Sequence, residues 1–216
     1  MAIYLEEHAP TLIHCKNVLE LGAGAGLPSL ICALHGAKQA LVTDYPDQEL
    51  VENLSLNISS LGDRLPQPRN IEARGYLWGS STTQLKDGLQ GVEDGYDLLI
   101  LADLLFNHSE HAKLIQTVQQ TLKRNSDSQA LVFFTPYRPW LLQKDLAFFD
   151  LAKEGGLVVE EIFEKVMEKV MFEEDPGVRK PLHAAWRSRC LTSVQDELLR
   201  RTVFGYRLTW PANELR

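Results

Sequence analysis

Glu20-Leu21-Gly22-Ala23-Gly24-Ala25-Gly26-Leu27-Pro28 is the stretch that decides how this chain folds. It follows Val18-Leu19-Glu20-Leu21, a short apolar run that reads as a strand. It leads into Leu27 to His35, a helical stretch with Pro28 in the first turn, where a missing N–H costs little. Alternating glycines let the backbone turn sharply and let a ligand approach without Cβ interference. A dinucleotide site calls for Gly-x-Gly-x-x-Gly, with phosphate at the helix N-terminus. Leu27 stands where that third glycine would be, and an acid, Glu20, lies two residues before the first glycine. A carboxylate there faces a pyrophosphate poorly and suits a phosphate-free ligand with a cationic end.

Ala40-Leu41-Val42-Thr43-Asp44 reads as the second strand, closed by an acid placed to hydrogen-bond ribose hydroxyls. Asp47 to Ser60 is predicted helical: Asp47 caps it, and Leu50, Val51, Leu54 and Ile58 share a face. Ile71 to Tyr76 is a weaker strand, and Ser80 to Gly95 a polar loop with about one helical turn. Tyr96 to Ala102 is the strongest strand, apolar enough to be buried on both faces of a parallel sheet. A helix over Asn107 to Lys123, a strand over Ala130 to Phe134 and a helix over Trp140 to Lys153 follow. Leu157 to Phe163 and Thr202 to Leu208 look like a closing strand pair. The alternation predicts an α/β fold: a doubly wound, mostly parallel seven-stranded sheet whose last strand is antiparallel.

The 216 residues fit a single domain, 44% hydrophobic and 24% charged. The formal charge of −7 argues against a nucleic-acid or anionic-membrane partner. Cys15, Cys32 and Cys190 have no metal or redox spacing, which suits reduced thiols in a soluble cytoplasmic protein. No signal peptide opens the chain, and the apolar run Leu98 to Phe106 is too short for a membrane span. The segment from Val178 to Gln195, with Arg179, Lys180, Arg187 and Arg189, has no clear periodicity. It reads as a disordered surface insertion or as translated intron, since Val codons begin GT and a Gln codon ends in AG.

Four pieces together carry a resemblance: Asn17 to Ser29 around the glycines, Val42-Thr43-Asp44-Tyr45-Pro46, Leu77-Trp78-Gly79, and Ala102-Asp103-Leu104-Leu105-Phe106-Asn107-His108. The chain resembles the family-16 protein methyltransferases, within the class I enzymes that use S-adenosyl-L-methionine on a Rossmann-like fold. The likeness runs from about Tyr4 to Gly177 and resumes at Asp196 to Leu208. The glycine motif is widely shared; the Asp-Tyr-Pro and Asp-Leu-Leu-Phe-Asn-His pieces are more specific.

The resemblance implies a cofactor site that includes Glu20, Gly22, Ala23, Gly24 and Gly26, with Gly22, Ala23 and Gly24 lining the methionine end. Asp44 would hold the ribose, Trp78 would lie by the adenine, and Ala102 would touch the cofactor from the central strand. Asp103 and Phe106 occupy the acid-x-x-aromatic motif at the substrate entrance, which makes them the catalytic candidates. The branch it most resembles methylates the N-terminal α-amine and an adjacent lysine of translation elongation factor 1-alpha, so a protein substrate and a monomeric enzyme are expected. A nicotinamide-like N-methyltransferase and an inactive binding module are the alternatives. Relative to the family the chain looks N-terminally truncated, with only Tyr4-Leu5-Glu6-Glu7 of a preceding helix. Trp78 and Phe106 each have a plain reading as core. His108 and His111 sit at i, i+3 without an evident third ligand, so no metal is expected.

Overall fold

The computed structural model describes residues 1–87, 94–170 and 193–215, without the side chains of 193–195. Cys190, residues 178–192 of the basic segment and residues 88–93 of the polar loop lie outside the described residues.

Seven strands form one sheet in the order β3-β2-β1-β4-β5-β7-β6. They are β1 (Asn17–Leu21), β2 (Gln39–Asp44), β3 (Ile71–Gly75), β4 (Leu98–Ala102), β5 (Gln129–Phe134), β6 (Val158–Val166) and β7 (Thr202–Thr209). The first five are parallel, and β7 runs antiparallel to both β5 and β6. The doubly wound sheet with an antiparallel last strand is therefore as expected. Successive side chains of a strand point to opposite faces. Leu19, Leu21, Leu99 and Leu101 fall on one apolar layer, whereas Val18, Leu98 and Ile100 fall on the other. Every position of β1 is buried, because helices cover both faces.

The helices are α1 (Ala2–Glu7), α2 (Ala9–Leu12), α3 (Leu27–Leu34), α4 (Gln48–Ser60), α5 (Thr83–Lys86), α6 (His111–Thr121), α7 (Leu142–Glu154) and α8 (Ser193–Arg201). The Asp47 side chain caps α4 by accepting from Glu49 and Leu50 N–H. The predicted helix from Asn107 instead opens as a 3-10 turn over His108–Glu110 before α6. The strong strand starts at Leu98, two residues late, since Tyr96 makes only an isolated bridge to Leu122. The end of the segment read as an insertion, 193–195, is the first turn of α8. Among the described residues no helix is long and apolar enough to cross a membrane.

Strand order reverses between β1 and β4: β2 and β3 lie to one side of β1, β4 and β5 to the other. The connections leaving the carboxyl ends of β1 and β4 therefore diverge, and a crevice opens between them.

Candidate active site

That crevice holds a cleft of about 570 Å³, within the usual size range of small-molecule sites. Gly22, Gly24, Asp44, Trp78, Ala102, Asp103 and Phe106, all expected from the sequence, line it. Ala23, Gly26 and Glu20 do not stand in its wall.

The glycine turn is built by hydrogen bonds to β2. Ala23 N–H donates to Thr43 O at 3.0 Å, and Gly24 N–H donates to Asp44 Oδ2 at 2.6 Å. The other Asp44 oxygen accepts the Tyr45 N–H at 2.6 Å. A carboxylate has about four acceptor positions, so Asp44 keeps capacity toward the cleft. Gly22, Gly24 and Gly26 all have positive φ, at 63°, 56° and 75°. Their surroundings differ. A Cβ on Gly22 would lie 2.6 Å from Leu104 Cδ2 and 2.9 Å from Trp78 Cζ2, so the bare backbone forms the floor beneath the indole. A Cβ on Gly24 would meet nothing within 4 Å. A Cβ on Gly26 would press on Leu54 and Val42 at 3.0 and 3.2 Å, so this glycine serves packing of the turn on α4 and β2.

Glu20 belongs to the layer beneath the turn, not to the cleft. It is fully buried, and its Oε2 accepts the Ser29 N–H of α3 at 3.0 Å. Burial pushes its carboxyl up to about 7, partly offset by the dipoles of Ser29. Glu20 thus ties strand to helix and fixes the turn from behind.

The Leu77-Trp78-Gly79 piece is pinned by Tyr76, whose hydroxyl donates to Ser80 O at 2.9 Å, and by Thr117 of α6, whose Oγ1 accepts the Gly79 N–H at 2.9 Å. This holds the half-buried Trp78 against Gly22. On the opposite wall, Asp103 directly follows β4 with φ at +54°, a conformation that few non-glycine residues adopt. Its N–H donates to Phe133 O at 2.7 Å, and its Oδ1 accepts the Thr135 N–H at 2.9 Å, which together hold the strained turn. Burial raises the Asp103 pKa, countered by the Thr135 N–H and the chain's α-amino group. Leu104 and Leu105 are buried, while Phe106 is 58% exposed at the mouth. A core reading of Phe106 does not fit that exposure.

Nothing local marked the lining residues Glu110, in the 3-10 turn, and Lys113, in the first turn of α6; Leu104 and Asn107 lie within the motif already quoted. Tyr45 and Leu77 stood next to residues that were singled out. Glu110 holds Lys113 at 2.9 Å, and the described lining residues include three carboxyl side chains, Asp44, Asp103 and Glu110, against one lysine. The cleft is acidic and rejects a pyrophosphate; a bare glycine floor, an indole and acids fit an adenosyl compound with a cationic centre.

The profile of the lysine methyltransferase family matches residues 1–154. This chain belongs to that family. The methyltransferase is 46% identical, over 217 residues, to protein N-terminal and lysine N-methyltransferase efm7 of Emericella nidulans, covering 99% of this chain and 76% of that protein. The protein of the same name from Schizosaccharomyces pombe is 39% identical over 213 residues, covering 98% and 74%. Among solved structures, the methyltransferase shares its fold with SAM dependent methyltransferases from Archaeoglobus fulgidus (TM-score 0.57, 12% identity, 96% of this chain and 91% of that one) and Aquifex aeolicus (TM-score 0.54, 15%, 96% and 88%).

Proposed function

We propose that this methyltransferase transfers methyl groups to the N-terminal α-amine and an adjacent lysine of translation elongation factor 1-alpha, acting as a cytoplasmic monomer. The observation that carries the reading is the juxtaposition of Asp103 and the exposed Phe106 at the mouth of an acidic cleft whose floor is the glycine turn. The printed names of the efm7 relatives, protein N-terminal and lysine N-methyltransferase, support the same substrate class.

When bound, S-adenosylmethionine supplies a methyl group on a sulfonium, open to in-line attack by an amine. Gly22 and Gly24 would bed its amino-acid end, Asp44 would accept from the ribose hydroxyls, Trp78 would cover the adenine and Ala102 would close the far side. Ala23 and Gly26 act by shaping the turn, and Glu20 by anchoring it. The chain's task is alignment in a pocket that excludes water. An α-amine, with a pKa near 8, is partly neutral at pH 7; a lysine, near 10.4, has to lose its proton first. Asp103 would hold the incoming ammonium through Oδ2 and orient it. The ring of Phe106 would take the cation face-on.

Incubation of the protein with tritiated cofactor and either elongation factor 1-alpha or nicotinamide tests the reading. Label is expected in the factor, at its terminus and neighbouring lysine by mass spectrometry. Label in nicotinamide alone would overturn the protein-substrate assignment, and no cofactor binding by calorimetry would leave only a binding module.

A further inference from the structure

Phe106 is an exposed ring on a loop, so its direction is set by the backbone beneath it. That backbone is held at successive points. The Leu105 carbonyl accepts from His111 Nε2 at 2.8 Å, and the Phe106 carbonyl from Arg138 Nη2 at 3.3 Å. Immediately afterwards, His108 Nε2 donates to Asp145 Oδ1 at 2.6 Å. Asp145 lies in the first turn of α7 and is only 6% exposed. The rings add a second tie to the same helix: His108 stands edge-on to His111 at 5.6 Å, and His111 edge-on to Phe148 of α7 at 5.4 Å.

A buried carboxylate is a poor device for stability, since an apolar side chain of similar size does as well or better. What it gives is a fixed direction, and here the fixed object is the His108 end of the entrance loop. We propose that the His108–Asp145 pair is a positioning device for the methyl-transfer reaction, clamping the loop to α7 so that Phe106 meets the protein substrate at one angle. His108 and Asp145 are positioning residues, not catalytic ones. The proposal rests on the reading of Phe106 as an entrance residue. Because Gly22, Gly24, Asp44 and Trp78 sit on other connections, releasing the clamp is expected to alter handling of the protein substrate and to spare the cofactor.

The test compares His108→Leu, which removes the donor, with His108→Gln, whose amide reaches the Nε2 position, in the full chain. His108→Leu should raise KM for elongation factor 1-alpha by roughly tenfold or more, a loosened entrance being costly when geometry is tight. Cofactor affinity by calorimetry should stay put, and His108→Gln should recover most of the loss. Should His108→Leu fail to fold, Asp145→Leu, which removes the acceptor, takes its place. An unchanged KM, or equal losses of KM and cofactor affinity, overturns the clamp. Hydrogen exchange gives a readout independent of any substrate. The amides of Asn107 and Glu110, which donate to the Leu104 and Asn107 carbonyls, should exchange roughly tenfold faster in the broken variant, with those of the glycine turn unaltered. Equal protection overturns the clamp even if elongation factor 1-alpha proves to be no substrate. Inactivity of the unmodified enzyme on that factor, with loop protection lost as expected, instead removes the substrate assignment and leaves the clamp.

Discussion

The carboxylate of Asp44 accepts the backbone N–H of Gly24 at 2.6 Å, so the end of the second strand holds the tip of the glycine turn that follows the first. One side chain shapes the turn and, in the proposed reading, would also present acceptors to the cofactor. Asp44→Ala should therefore weaken S-adenosylmethionine binding by about 10- to 100-fold, the scale of losing a charged hydrogen-bond acceptor. Calorimetric titration reads it directly; affinity within experimental error of the unmodified protein would contradict the role.

Gly22 and Gly24 share a left-handed backbone but not their surroundings, so alanine at the two positions should act differently. Gly24→Ala adds backbone strain alone, on the order of 1 kcal/mol. Gly22→Ala adds that strain and drives a methyl into Leu104 and Trp78, for a total of roughly 2–4 kcal/mol. Urea denaturation of both variants ranks them. Equal losses would mean that Leu104 and Trp78 move aside freely.

Glu20 connects protonation to stability. Its carboxyl is raised to about 7 in the folded chain from an ordinary 4.5, by burial first. Between those values the folded state keeps a proton that the unfolded state has released. Stability must then fall as pH rises through that window, by roughly 3 kcal/mol in all, and level off above it. Glu20→Gln should abolish this component. The difference in unfolding free energy between the two proteins, followed from about pH 5 to about pH 8, is the measurement. A difference that does not vary with pH would count against a protonated Glu20.

Asp103→Asn keeps an acceptor for the Thr135 N–H and a residue type that tolerates the left-handed backbone, while removing the charge. Turnover should drop by about 100-fold, as when a preorganised electrostatic partner of the reacting group is lost. Cofactor affinity should hold to within about threefold, which separates substrate handling from pocket construction. Parallel loss of both would show that Asp103 builds the cofactor pocket instead.

Much of this architecture was legible in the sequence because apolar runs, Pro28, Asp47 and the glycines each act locally. The strand bearing Glu20 shows where that legibility ends. In a strand buried on both faces, no alternation tells which side chains face a ligand, so the acid looked like part of the cofactor site although it is bonded to Ser29 behind the turn. Position in the chain did indicate Asp44 and Asp103, since residues at strand ends open onto the crevice, whereas Phe106 was marked by the resemblance alone and by itself read as core. The tie between His108 and Asp145 spans 37 positions and has no local signature. The two histidines, taken alone, suggested only a weak metal pair. The late start of α6 escaped notice for a similar reason: its 3-10 opening turn is flanked by the long-range bonds from His108 to Asp145 and from Arg138 to the Phe106 carbonyl.

The placement of β7 between β5 and β6 bears on how the chain is made. A ribosome delivers β6 before β7, yet among the described residues β7 is the only strand beside it in the sheet. Until Thr202–Thr209 has emerged, β6 has no neighbour and the outer edge of β5 is bare. Nascent chains stalled in that interval carry two sticky borders, so synthesis of this protein passes through a stage where chaperone shielding matters most.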